Sequence, residues 1–481
     1  MAESYHTDLY IDGAWHPAMA GGHIDILDPA TEEVVATAAQ AERADVEAAI
    51  ASAHQAFQTW RKVLAWDRSK VLRKAAMLLE ERADRIARLL TLECGKPLGQ
   101  ARAEVISAVE LIDWYADEAR RIFGQTLPGR GADNRFMTIF EPVGVVGAFT
   151  AWNFPVVLQA RKIAPALATG CTIVTRPAEE GTSSVAELVK CFIDAGAPKG
   201  TVNLVTGKPE VISEAIMDSD LVRKVTFTGS IPVGQHLMRR AADTVKRMSM
   251  ELGGHAPVII HEDVDPVKAA LASAAGKSRN NGQVCVSPTR FYVHKKHERA
   301  FTDAFAGALA GMKIGHGLEP GTEIGPLVNR KRLAFVEEMV DQTRAEGARV
   351  VTGGQRPADM NRGFFFEPTV FSDVRDDMRV MNDEPFGPIA PVTTFETFDE
   401  VIGRANSLSY GLAGYVFTGN QKLAQATAEA LRTGIVGVNT FAAATAEMPF
   451  GGVNHSGFGR ENGSQGLYDY LDAKFVNIAY G

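Results

Sequence analysis

The chain has 481 residues, 46% of them hydrophobic, which is too much sequence for one core and enough apolar content for two or three domains. Its formal net charge is -8 and its pI about 5.8, so nothing favours nucleic-acid phosphates or anionic membrane surfaces as partners. Its cysteines, Cys94, Cys171, Cys191 and Cys285, are too dilute for a disulfide scaffold and have no paired metal-ligand spacing, so a reducing cytoplasm fits and no metal site is expected.

The segment from Met1 to Trp15 lacks the basic start and apolar run of a secretory signal, and a short strand pair opens the fold. Three amphipathic helices are predicted, over Arg43 to Trp60, Asp67 to Thr91 and Gln100 to Phe123, from apolar residues at three- and four-residue spacing. Pro128, Gly129 and Gly131 then break the pattern. The alternation Phe136-Met137-Thr138-Ile139-Phe140 suits an exposed extended arm that pairs with a neighbour. Val143 to Ala160 approaches the length of a membrane span but contains Gly144, Gly147, Asn153 and Pro155, and reads as a buried strand followed by a loop.

Between Val143 and Leu252 short apolar runs (Val143 to Phe149, Cys171 to Val174, Val202 to Val205, Lys224 to Phe227) alternate with helical stretches such as Ser183 to Ala195. This is the βαβ pattern of a doubly wound parallel sheet. A second alternation runs from Ala256 to about Val438, so Gly253-Gly254 is taken as the domain boundary. The expected organisation is α/β: a first, doubly wound domain from 1–123 and 143–252, a second α/β domain at 253–462, and a β arm from 124–142 and 463–481. The C-terminal run from Tyr468 to Tyr480, rich in aromatics and β-formers, belongs to that arm.

Four chemistry-bearing residues, Asn153, Glu251, Cys285 and Glu384, sit in Gly- or Pro-rich phrases. Cys285 follows Asn281-Gly282-Gln283-Val284, a turn where backbone approaches a ligand closely, so its thiol reads as a nucleophile and the other three cysteines as small buried hydrophobes. Free thiols have a pKa near ~8.5, so such a group needs a base or dipoles nearby. Glu251, in Met250-Glu251-Leu252-Gly253-Gly254, is either a cleft base or a solvated loop acid. Gly229-Ser230, closing Thr226-Phe227-Thr228 with Gly234 beyond, is either a phosphate-binding helix start or an ordinary strand-to-helix turn.

Six phrases occur in the order found in the aldehyde dehydrogenase superfamily: Trp152-Asn153-Phe154-Pro155, Phe227 to Ser230 with Gly234, Glu251 to Gly254, Gly282 to Cys285, Glu384-Pro385-Phe386-Gly387-Pro388 and Pro449-Phe450-Gly451-Gly452. The chain resembles that family over essentially its whole length. The resemblance implies a Rossmann-type cofactor domain with an α/β catalytic domain, and a covalent mechanism. In that mechanism Cys285 attacks the aldehyde, the Asn153 amide and the Cys285 N–H hold the oxyanion, and Glu251 activates water against the thioester. It places Trp152, Arg176, Glu179, Gly229, Ser230, Leu252, Glu384 and Phe386 around the cofactor, with Glu384 on the nicotinamide ribose. Glu179 at the adenosine ribose favours NAD over a 2′-phosphate, while Arg176, where relatives usually carry Lys, offsets part of that repulsion and leaves weaker NADP use open.

Within the superfamily the chain looks most like succinate-semialdehyde and α-ketoglutarate-semialdehyde dehydrogenases. That likeness implies Arg161 and Arg290 on the substrate's distal carboxylate, with Phe154 and Thr445 beside it. The arginines can equally be scaffold. The loop Phe441-Ala442-Ala443-Ala444-Thr445-Ala446 has Ala444 at the position where relatives add a hydroxyl, which keeps open an uncharged aromatic or aliphatic aldehyde. Ser287 stands where some relatives carry a second cysteine, so no redox switch is expected. A coenzyme A-dependent outcome or a catalytically silent member are the remaining readings, and the family implies a homodimer or homotetramer.

Overall fold

The computed structural model describes residues 5–480; residues 1–4 and 481, the outer limits of the first and last predicted segments, lie outside them. The chain builds two large sheets. The first has the order Gly457–Phe458, Arg247–Glu251, Val222–Thr228, Val145–Phe149, Thr172–Arg176, Val202–Leu204, Leu9–Ile11 and Ala14–His16, and its five central strands are parallel. Those central strands are almost wholly buried, as helices on both faces require.

Val145–Phe149 pairs with Thr172–Arg176 on one side and Val222–Thr228 on the other, so the chain reverses its winding direction there. A crevice opens beyond the carboxyl ends of the strands at such a switch point, the place where doubly wound sheets bind ligands. The second sheet orders Arg349–Thr352, Thr369–Ser372, Ile389–Phe395, Pro288–His294, Ala256–Ile260, Ala413–Phe417 and Ile435–Val438, all parallel except the first. Strand membership changes between Glu251 and Ala256, across Gly253-Gly254.

A three-stranded antiparallel sheet carries Asn134–Pro142 between Gln125–Pro128 and Leu471–Ala479, the last pairing running from Asn134 opposite Ala479 to Pro142 opposite Leu471. The chain's two predicted arm segments thus pair with each other first.

Two elements differ from the sequence reading. The helix expected over Asp67 to Thr91 is two helices, Ala65–Glu81 and Ala83–Cys94, broken at Arg82, whose guanidinium reaches Asp194 at 2.5 Å. No Gly or Pro marks the break, and both pieces pack on the helix Thr182–Asp194. The stretch read as strand then loop up to Ala160 turns helical at Pro155, and the helix Pro155–Thr169 is buried on every face. A helix without a solvent face has no amphipathic period to read.

Candidate active site

A cavity of about 570 Å³ lies between the carboxyl ends of the first sheet's strands and the amino ends of the second sheet's strands. From the first sheet come the loop after Phe149, the Arg176 end, Gly229-Ser230 and Glu251. From the second come the loop before Pro288, which carries Cys285, and the loop before Ile389, which carries Glu384. Trp152, Asn153, Phe154, Arg161, Arg176, Glu179, Gly229, Ser230, Glu251, Leu252, Cys285, Glu384 and Phe386 all line it. Of the residues singled out from sequence, Arg290 and Thr445 do not.

Cys285 is the one partly accessible cysteine; Cys94, Cys171 and Cys191 are 1%, 0% and 0% exposed. It is held by a backbone in which Asn280, Asn281 and Gly282 have φ of +45°, +54° and +72°. Asn tolerates the left-handed region through local hydrogen bonding and Gly has no Cβ to clash. At Gly282 there is a second reason, since a Cβ would meet the Gly387 carbonyl oxygen at 2.1 Å. The nucleophile loop is therefore pressed onto the Glu384 loop. Burial pushes the Cys285 thiol up to about 12; Arg161 and the Val286 N–H oppose this, while Glu251 and Glu384 add to it.

The Asn153 side-chain nitrogen donates to Gln283 O at 3.1 Å, which turns its amide toward the nucleophile loop and leaves a second N–H. Glu251 ends its strand and is 5% exposed; its Oε2 has no hydrogen-bond partner. Burial, with the Glu461 carboxylate close by, raises its pKa well above the usual carboxylate range. Once ionised, a carboxylate so placed is a stronger base than an ordinary one, which suits taking a proton from water.

A dinucleotide fits the other end. The helix Ile231–Ala241 starts at Ser230, whose side chain does not cap it, so first-turn N–H groups face the cavity for a pyrophosphate. Gly234 seats that helix, since a Cβ would lie 2.6 Å from Leu252. Glu179 presents an exposed carboxylate 3.8 Å from Arg176. Arg176 itself donates to Gly207 O at 3.1 Å and is buried. Glu384 Oε1 accepts from the Gly254 N–H, and burial pushes its carboxyl up to about 7 against the pull of that N–H, Arg332 and Lys277. Trp152 and Phe386 meet edge to face at 5.5 Å. Arg332 and Phe335 also line this end and went unseen in the sequence, where they look like one face of a charged helix.

At the Cys285 end Arg161 lies 4.3 Å from the Phe450 ring centroid, and its Nε has no partner. The second arginine is Arg279, not Arg290. Arg290 sits inside the strand Pro288–His294, with Nε donating to His255 O at 3.0 Å and Nη2 to Ala405 O at 2.9 Å, so its guanidinium is spent on backbone away from the cavity. Arg279 lines the cavity over the Phe154 ring, 5.0 Å from its centroid. Neither Arg161 nor Arg279 has a carboxylate partner among the described residues. Its place six residues before Cys285 was the available signal. Thr445 is exposed and outside the lining, and Ala444 lines the wall instead.

The aldehyde dehydrogenase family profile matches residues 15–476. Relatives include 4-(hydroxymethyl)benzenesulfonate dehydrogenase of Comamonas testosteroni, 42% identical over 98% of both chains, and glutarate-semialdehyde dehydrogenase of Pseudomonas putida, 41% identical over 99% of both. The crystal structure of succinate-semialdehyde dehydrogenase from Burkholderia pseudomallei superposes with a TM-score of 0.96 at 40% identity, covering 98% of each chain. The chain belongs to the aldehyde dehydrogenase family.

Proposed function

We propose that the protein oxidises an aldehyde bearing a distal anionic group to its carboxylic acid, with NAD as the preferred oxidant. The observation that carries this is one cavity holding an accessible thiol, a buried unpartnered carboxylate and two guanidiniums without acidic partners. Unpaired cations in a partly dry wall attract an anion by charge-assisted hydrogen bonds. In this reading Cys285 adds to the carbonyl carbon, and the Asn153 amide and the Cys285 N–H hold the oxyanion. NAD held by Gly229, Ser230 and Glu384 would supply a hydride acceptor, and loss of hydride from the Cys285 adduct would leave a thioester on Cys285. Glu251 takes a proton from the water that cleaves this thioester, releasing acid and free thiol.

The anion is a carboxylate, as in succinate, glutarate or α-ketoglutarate semialdehyde, or a sulfonate, as the named relatives suggest. Ala444 in place of a hydroxyl favours the longer or aromatic members of that class. NAD preference is supported by the exposed Glu179 carboxylate, with Arg176 turned to Gly207; NADP is the weaker alternative. No helix among the described residues is long and apolar enough to cross a membrane. We infer a cytoplasmic homodimer or homotetramer, supported by the four free thiols and by the open edge of Leu471–Ala479 with Phe475 65% exposed. The division at Gly253-Gly254, with the arm as a third unit, is our proposed domain organisation.

The test is NADH absorbance with succinate, glutarate and α-ketoglutarate semialdehydes, 4-formylbenzenesulfonate, benzaldehyde and hexanal. Higher kcat/KM for benzaldehyde and hexanal than for every anionic aldehyde would overturn the anion reading.

A further inference from the structure

The oxyanion donor stands on a loop, and a loop holds a catalytic amide only if something rigid holds the loop. The anchor lies outside the cavity. Lys96, just after the helix Ala83–Cys94, and Glu104, in the helix Leu98–Glu118, are 1% and 2% exposed and form a buried ion pair. Each partner has a second contact on the Asn153 loop. Lys96 Nζ donates to Asn153 O at 2.6 Å and lies 4.1 Å from the centroid of the Phe154 ring. Glu104 Oε1 accepts from Val156 N at 2.9 Å and from Val157 N at 3.3 Å, closing the amino end of the helix that follows Asn153.

The helix Pro155–Thr169 has no side-chain cap of its own at Phe154, so Glu104 supplies from another helix the acceptor that its free N–H groups require. The same corner grips the nucleophile loop. Gln100, one turn before Glu104, accepts from Asn280 N at 2.7 Å, and Asn280 Nδ2 donates to Asn153 O at 3.1 Å. The Asn153 carbonyl is thus fixed by a cation and an amide at once, while its side-chain amide reaches Gln283 on the nucleophile loop.

A buried ion pair is weak evidence for stability, because desolvation offsets much of its attraction, and its retention here coincides with what it touches. We propose that Lys96 and Glu104 are positioning residues for the oxyanion step, acting through the Asn153 backbone to hold its side-chain amide in register with Cys285. The proposal rests on the assignment of Asn153 as oxyanion donor. It does not depend on the substrate's anion.

A double-mutant cycle on the rate of the single-turnover NADH burst tests it, with propionaldehyde as the probe because it carries no charge for Arg161 or Arg279 to bind. K96M is expected to slow the burst in the otherwise unchanged enzyme by on the order of 10-fold to 100-fold, the range for a misplaced oxyanion donor. NADH affinity by fluorescence titration should stay within about twofold. In the N153A background K96M should cost less than about threefold, since the group it positions is already gone. E104Q, which keeps an oxygen for the Val156 N–H but loses the charge facing Lys96, carries the same cycle should K96M fail to fold. Multiplying losses in the double variant, or no loss in the single one, overturn the positioning role alone. An unaffected burst in N153A overturns both that role and the oxyanion assignment beneath it.

Discussion

Glu384 is tied to Gly254: its Oε1 accepts the Gly254 N–H at 3.2 Å, so a carboxylate from the second sheet is held by the segment crossing between the sheets. The neighbouring glycine leaves no slack, because a Cβ on Gly253 would lie 2.4 Å from Glu384 Oε2. G253A is expected to displace the carboxylate and weaken NADH binding, by about 10-fold for a displacement near 1 Å or less. Fluorescence titration reads the affinity, and circular dichroism checks that the fold survives. Unchanged binding in a folded G253A would separate Glu384 from cofactor binding.

Replacing the thiol isolates the covalent step. C285A should lose at least about 10³-fold in kcat, as loss of a nucleophile does, while NADH still binds. Residual turnover near the original rate would mean that Cys285 is not the attacking group.

The pH profile follows from two raised pKa values. Cys285 and Glu251 are both pushed upward, first by burial, and both act in their ionised forms, so kcat should keep climbing as pH rises above neutrality. E251Q should lose the hydrolytic part of that rise and stall at the thioester, visible as a covalent mass increase on the enzyme after one turnover. Stability runs the other way. The folded state holds the Glu251 proton to higher pH than the unfolded chain, so it binds more protons across that window and stability falls as pH rises through it. The Tm of E251Q should therefore exceed that of the unsubstituted enzyme at about pH 8.5 by more than at about pH 5; equal differences would sink the assignment.

The three arginines separate cleanly. R161M and R279M should each raise KM for glutarate semialdehyde by about 10-fold to 100-fold, the worth of a hydrogen bond to a charged group, and leave hexanal nearly unaffected. R290M should leave KM alone and lower Tm, because His255 O and Ala405 O lose their donor inside the protein. A KM effect confined to R290M would reverse this placement.

The alanine-rich loop beside the cavity gives a further contrast. T445A should change kcat/KM by less than about twofold, since Thr445 is exposed and outside the cavity lining, as surface changes do. A444F should exclude aromatic aldehydes while sparing short ones, because Ala444 borders the cavity. Kinetics on 4-formylbenzenesulfonate and succinate semialdehyde measure both.

Cys285, Glu251, Asn153 and Glu384 were legible because each stands in a phrase whose glycines or prolines serve backbone geometry, and those phrases survive as short, ordered words. Arg290 was misread for a definite reason: its strand is covered on both faces, so the two-residue period that tells inward from outward is missing. Arg279 was overlooked because an arginine next to two asparagines looks solvated, and only the fold turns it over Phe154. Lys96 lies in the turn between two helices and Glu104 in the second of them, places where charges ordinarily face water; their burial comes from helix packing that no local pattern encodes.

The left-handed run Asn280-Asn281-Gly282 sets how this enzyme can be altered by selection. Each position accepts a narrow set of residues, and Gly282 accepts none larger without moving the Gly387 carbonyl. The wall around Ala442 to Ala444 carries no such demand, because none of its residues has a left-handed backbone. In a randomised library, active survivors should keep the run before the nucleophile nearly unchanged and gather their diversity in the alanine loop, so that new aldehyde preferences arise by reshaping one wall around a fixed reaction centre.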